Sequence, residues 1–226
     1  MSRARCISPT GTLTPRNLTS RNMLSNTLLS AATILLASTA HAAALSVQVS
    51  DSNGQPVADA VVYAESTSGK PVESVIRTVS IEQVSRKFLP LVSVIQTGSS
   101  VLFPNNDTVR HHVYSFSPVK TFELKLYSGN PSNPVVFDKA GNATIGCNIH
   151  DNMIAYVKVV DTPYFGKTDS SGQVRIDAVP PGEFRLKTWH YRQANPAAVV
   201  EQALTLKAEG ASAAMRLDLT APATGK

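Results

Sequence analysis

Cysteine is almost absent from this 226-residue chain: there are two, and Cys6 lies in a basic, apolar leader. Cys147 is then the only thiol of the mature protein, which excludes an internal disulfide. No Cys-x-x-Cys-His or paired Cys-x-x-Cys motif occurs, so attached haem and cysteine-rich zinc sites are excluded as well. A Gly-x-Ser-x-Gly elbow and a His-Glu-x-x-His helix are missing, and the acidic residues form no evident catalytic pair, so an enzyme is not expected. Long apolar runs are scarce too. Leu28 to Ala37 is too short, and too soon followed by alternating residues, for a stable membrane span. Excess charge of one sign is a property of the leader alone: Arg3, Arg5, Arg16 and Arg21 precede residue 45 without any acid. Without them 17 basic residues face 16 acidic ones. A nucleic-acid partner is therefore not expected.

The leader itself has the basic start, apolar stretch and small-residue end of a secretory signal peptide. It spans residues 1–42, is cleaved after about Ala42 and allows translation to start at Met1 or Met23. Export to the periplasm follows, where an unprotected thiol is a liability.

From Leu45 onward, short alternating runs are punctuated by Gly, Pro, Asn and Asp, the pattern of an all-β chain. Leu45, Val47 and Val49 alternate before the turn Asp51 to Gly54, and strands are expected at Val57 to Ala64, Val92 to Gln96, Ser100 to Phe103 and Val113 to Ser117. More follow at Glu123 to Tyr127, Val135 to Asp138, Ala143 to Cys147 and Ile154 to Val160. The last group is Gln173 to Ile176, Phe184 to Trp189, Val200 to Leu206 and Met215 to Leu219. Such spacing argues for sandwiches. A short helix fits only Pro71 to Val84.

The chemistry concentrates in one loop, Cys147-Asn-Ile-His150-Asp-Asn-Met153. It supplies thiolate, imidazole and thioether, three of the four donors of a blue-copper site, which needs one Cys and two His in a plane and a distant axial Met. A second imidazole is available from the adjacent pair His111 and His112, about 35 residues upstream. Only one of two neighbours on a strand points to a given face. Asp151 reads as a solvated loop carboxylate, and His190 as the exposed end of a strand.

Thr97 to Val160 resembles the cupredoxins. The pattern Gly98-Ser-Ser-Val-Leu-Phe103-Pro-Asn-Asn-Asp107 before His111-His112-Val113 is similar to the stretch leading to that family's first His ligand. Val135-Val-Phe137-Asp-Lys-Ala-Gly141 before Cys147 is similar to the strand that delivers the Cys. The Cys-x2-His-x2-Met spacing resembles that of amicyanin, and the longer runs resemble exported cupredoxin-like proteins labelled methylamine-utilisation proteins. By position the resemblance implies one type 1 copper per chain held by His111, Cys147, His150 and Met153. A His-Asn-Val match selects His111, whereas a His-x3-Phe match selects His112 with Phe116; the first is favoured. It also implies single-electron transfer linked to methylamine or amine oxidation, with a dehydrogenase or cytochrome as redox partner. The alternatives are a copper-delivery protein without redox turnover and a metal-free structural adhesion module.

The flanks show a second likeness. Val47-Gln-Val-Ser-Asp51-Ser-Asn-Gly54-Gln-Pro56 and Thr168-Asp-Ser-Ser-Gly172 through Pro180-Pro-Gly182-Glu-Phe184 resemble two pieces of a carboxypeptidase-regulatory-like, Ig-like β-sandwich. About 100 residues separate them. The expected organisation is a Greek-key cupredoxin domain, residues 70–160, inserted into a small sandwich made of residues 45–66 and 162–220, with tandem domains as the alternative.

Overall fold

The computed structural model describes residues 43–69, 74–131, 133–196 and 198–221; the proposed leader lies outside them. Among the described residues there are strands and no helix, so the chain is all-β as expected. None of them forms a helix long and apolar enough to cross a membrane. In chain order the strands are β1 (Ala43–Asp51), β2 (Val61–Ser66), β3 (Thr78–Ser80), β4 (Glu82–Val84), β5 (Lys87–Leu89) and β6 (Val92–Gln96). Then come β7 (Ser100–Leu102), β8 (His111–Ser117), β9 (Lys120–Tyr127), β10 (Val135–Val136), β11 (Gly141–Cys147) and β12 (Ile154–Val160). The last are β13 (Phe165–Lys167), β14 (Gln173–Val179), β15 (Gly182–Trp189), β16 (Val200–Leu206) and β17 (Ala211–Leu217).

Both ends of the described chain contribute to one sandwich. One sheet has the order β14-β1-β17 and the other β13-β2-β15-β16. Alternation along β1 drives Leu45, Val47 and Val49 into a shared core with Val62, Ile176, Phe184, Leu186, Leu206 and Leu217. The turn that leads from β13 into β14, packed against β1, needs a glycine. At Gly172, with φ +75°, a Cβ would lie 2.5 Å from the Val49 carbonyl oxygen.

The intervening segment builds a second core between the sheets β10-β7-β3 and β6-β12-β11-β8-β9, with the hairpin β4-β5 alongside. Ile81, Phe88, Val101, Phe103, Val113, Phe137, Ile145 and Val157 fill it. At ~1.5–3 kcal/mol for each large apolar side chain removed from water, these contacts provide the rigid frame on which polar donors are mounted. A third cluster, Val61, Tyr63, Val92, Val160 and Trp189, lies between the two cores. It explains why β2 is buried without alternation: Val62 and Ala64 face the outer core, whereas Val61 and Tyr63 face this junction.

Three local expectations change. Residues 74–77 are irregular, and β3 and β4 replace the short helix expected over Pro71 to Val84, residues 71–73 of which lie outside the described part. Val79 and Ile81 alternate toward the inner core, and pairing of β3 with β7 outweighs any local helical preference. The strand expected from Val57 starts only at Val61, because Asp59 takes φ 60° in a turn. His190 is not exposed. It is 3% accessible, its Nδ1 accepts the Arg192 amide at 3.1 Å, and burial, helped by Arg192, pulls its pKa down to about 4.

Candidate metal centre

Two neighbouring strands of the inner sheet bring the first donors together. Cys147 ends β11 and pairs with Val113 of β8, which places it diagonally across from His111. Along β8, His111, Val113 and Ser115 are buried, and His112 and Tyr114 point the other way. The pairing of β8 with β9 carries one extra residue on β9, where His111 meets Tyr127 but Val113 meets Leu124, while β8 keeps its alternation and leaves His111 fully buried. His111 Nδ1 then lies 3.7 Å from Cys147 Sγ. His112 takes the outer face, its Nε2 2.8 Å from Glu123 Oε1 but without hydrogen-bond alignment.

The loop after β11 folds back over this pair. Its Asn148 amide donates to the His112 carbonyl at 3.1 Å, and the Met153 amide donates to the His150 carbonyl at 3.0 Å. The His150 ring reaches His111 edge-on, with centroids 5.1 Å apart. One donor atom each from His111, Cys147 and His150 lies within 4.8 Å of the others. Met153 is 1% exposed and, with Cys147, lines a cleft of about 350 Å³ bounded by Tyr114, Phe116 and Ile154. Gly146 closes its floor because the Tyr114 ring occupies the place of a side chain: a Cβ there would meet it at 2.8 Å. Asp151 is exposed at the rim.

The residue that sequence reasoning missed is Asp107. Its carboxylate accepts from His111 Nε2 at 2.8 Å, from the Ser85 amide at 2.6 Å and from the Arg86 amide at 2.9 Å. Desolvation alone would raise its pKa, but the Arg86 amide, His111 and the Ser85 amide together hold it below the usual carboxylate value. A carboxylate in this position requires the proton on Nε2, so a neutral His111 ring presents the Nδ1 lone pair to the thiol. Asn105 fixes the loop that carries Asp107: its Nδ2 donates to the Val109 and Tyr127 carbonyls at 2.9 and 2.8 Å, and its Oδ1 accepts the Asp107 amide at 3.0 Å. The one signal in the sequence was an acid four residues before a histidine.

These residues fit a small metal ion. Bonds of roughly 2.3 Å to sulfur and 2.0 Å to nitrogen hold the two donors ~3.5–3.7 Å apart, the separation of Cys147 and His111. His150 Nδ1 is buried with no hydrogen-bond partner among the described residues, a cost of about 1–3 kcal/mol that a coordinate bond removes. A mixed thiolate and imidazole set is also a soft-metal set.

No protein-family model matches the chain, and no curated protein matches it. Solved structures do. A copper-containing nitrite reductase from Thermus scotoductus SA-01 is 22% identical over 51% of this chain, with a TM-score of 0.35; the match spans 28% of that enzyme. A purple cupredoxin from Nitrosopumilus maritimus is 22% identical over 34% of this chain and 84% of its own, with a TM-score of 0.31. Amicyanin from Paracoccus versutus is 18% identical over 43% of this chain and 98% of its own, also with a TM-score of 0.31.

Proposed function

We propose that this chain is an exported, periplasmic type 1 copper protein that passes single electrons. The observation that carries the reading is the donor cluster itself: His111, Cys147 and His150 within 4.8 Å, with His150 Nδ1 orphaned in the interior. His111, Cys147 and His150 would hold the ion, with Met153 as a further, weaker thioether donor. Copper, when bound, supplies the one-electron couple. The chain supplies rigidity: Cys147 is anchored by β11, His111 by β8 and Asp107, and the loop by the Asn148 amide's bond to β8 and its own bond between Met153 and His150. Donors fixed in advance have little to rearrange when the charge of the site changes.

The partner in this reading is a redox protein, a dehydrogenase of amine oxidation or a cytochrome. It would approach the loop end of the inner sandwich, where Ile149 is 46% exposed between two ligand positions. The organisation proposed is an electron-transfer domain of residues 70–160 carried inside a sandwich of residues 45–66 and 162–220, which the two separate cores support.

The test is a potentiometric titration of the copper-loaded chain. Reversible uptake of one electron per copper, with copper retained in both states, supports the reading. Loss of copper on reduction would instead favour copper delivery.

A further inference from the structure

Away from the metal centre, the outer face of the inner sheet carries a nearly buried lysine. Lys158, on β12, is 9% exposed, and no carboxylate lies within ion-pair distance among the described residues. Glu65, whose charge reaches it, is taken by Lys187 at 2.7 Å, and Glu201 by Arg185 at 2.7 Å. Nζ lies 5.3 Å from the Tyr63 ring centroid and 5.9 Å from that of Trp189, near the ~6 Å limit at which a ring still attracts a cation. Burial lowers the pKa of this ammonium, and Lys187 adds to the effect.

One hydrogen bond is formed, from Nζ to Asn142 Oδ1 at 3.0 Å. Because lysine only donates, the amide oxygen must face it, which leaves Asn142 Nδ2 beside it as a second donor with no partner among the described residues. A pocket of about 260 Å³ opens at this point. Lys158, Asn142 and Thr188 form its polar side, and Trp189, Pro196 and Val199 its apolar side.

We propose that this groove binds a short aliphatic carboxylate, its oxygens accepting from Lys158 Nζ and Asn142 Nδ2 and its chain lying against Pro196 and Val199. A single negative charge is what the site can take. Glu65 and Glu201 are close enough to help burial push the Tyr63 phenol up to about 12, and they would repel a multiply charged anion. Occupancy would bridge the two sandwiches, since Asn142 and Lys158 belong to the inner sheet and Thr188 and Trp189 to the outer one.

Trp189 is the only tryptophan of the chain, so its fluorescence reports the pocket directly. Sodium butyrate titrated into the full chain at constant ionic strength should give a saturable change that sodium chloride and butylammonium chloride do not. Lys158→Met should weaken butyrate at least ~10-fold, in line with loss of a charge-assisted bond, and Asn142→Ala should weaken it less. A butyrate response no different from that of chloride overturns the proposal. So does unaltered affinity in Lys158→Met. If that variant fails to fold, Asn142→Ala decides, since Asn142 is exposed and its loss leaves the core intact; unaltered affinity there is equally fatal.

Discussion

Replacing Asp107 by alanine removes three acceptor contacts at once, and the geometry separates their consequences. Ser85 and Arg86 form the tip of the β4-β5 hairpin with φ of 52° and 58°, the left-handed region that a two-residue turn of this type requires and that non-glycine side chains resist. Each such residue costs about 1 kcal/mol or more. Asp107 offsets that cost by accepting both amides while it holds His111. In the variant the two exposed turn amides turn to water and lose a net ~1 kcal/mol each, whereas the fully buried His111 Nε2 loses its partner at ~1–3 kcal/mol. The total is roughly 3–5 kcal/mol, measurable as a lower urea midpoint. Copper affinity should fall about 10–100-fold, the usual effect of removing a group that orients a ligand histidine. Adding Ser85→Asn and Arg86→Gly relaxes the turn and should recover part of the stability but none of the affinity. Recovery of both, or Asp107→Ala with unaltered affinity in a competition titration, would refute the positioning argument.

His111→Ala should abolish the coloured copper site, and His112→Ala should retain it, because only His111 points inward; the reverse outcome in the visible spectrum would move the ligand to His112. The buried His190 makes a pH prediction. Its folded pKa of about 4 lies below the unfolded value near ~6.5, so the unfolded chain binds the extra proton between these limits. Stability is therefore complete above pH ~6.5 and declines as pH falls toward ~4, by about 2–3 kcal/mol. Urea midpoints at pH 7 and pH 4.5 should show less of this decline in His190→Asn than in the wild type; equal declines would remove His190 as its source.

What could be read from the sequence was whatever a few neighbouring residues decide. Cys147, His150 and Met153 share one loop, so their proximity needed no tertiary information, and strand parity alone put His111 and His112 on opposite faces. The inward choice goes with Val113 and Ser115, which share the His111 face and are buried where β8 packs into the inner core. Asp107 left only the spacing of an acid four residues before a histidine, because two of the three groups it serves come from the distant Ser85-Arg86 turn. Strands β3, β4, β5 and β13 have three residues each, too few to show a period. Lys158 reads as an outward residue in Tyr-Val-Lys-Val-Val and is outward with respect to its own sandwich. A second sandwich covers it, which no local pattern records.

The most direct test of the central claim is the optical spectrum of the chain titrated with copper(II), wild type beside Cys147→Ser. A blue site predicts one copper per chain and an intense visible thiolate-to-copper band that reaches its end point at one equivalent and is absent from Cys147→Ser. Stoichiometric copper binding by a colourless wild-type protein would contradict it.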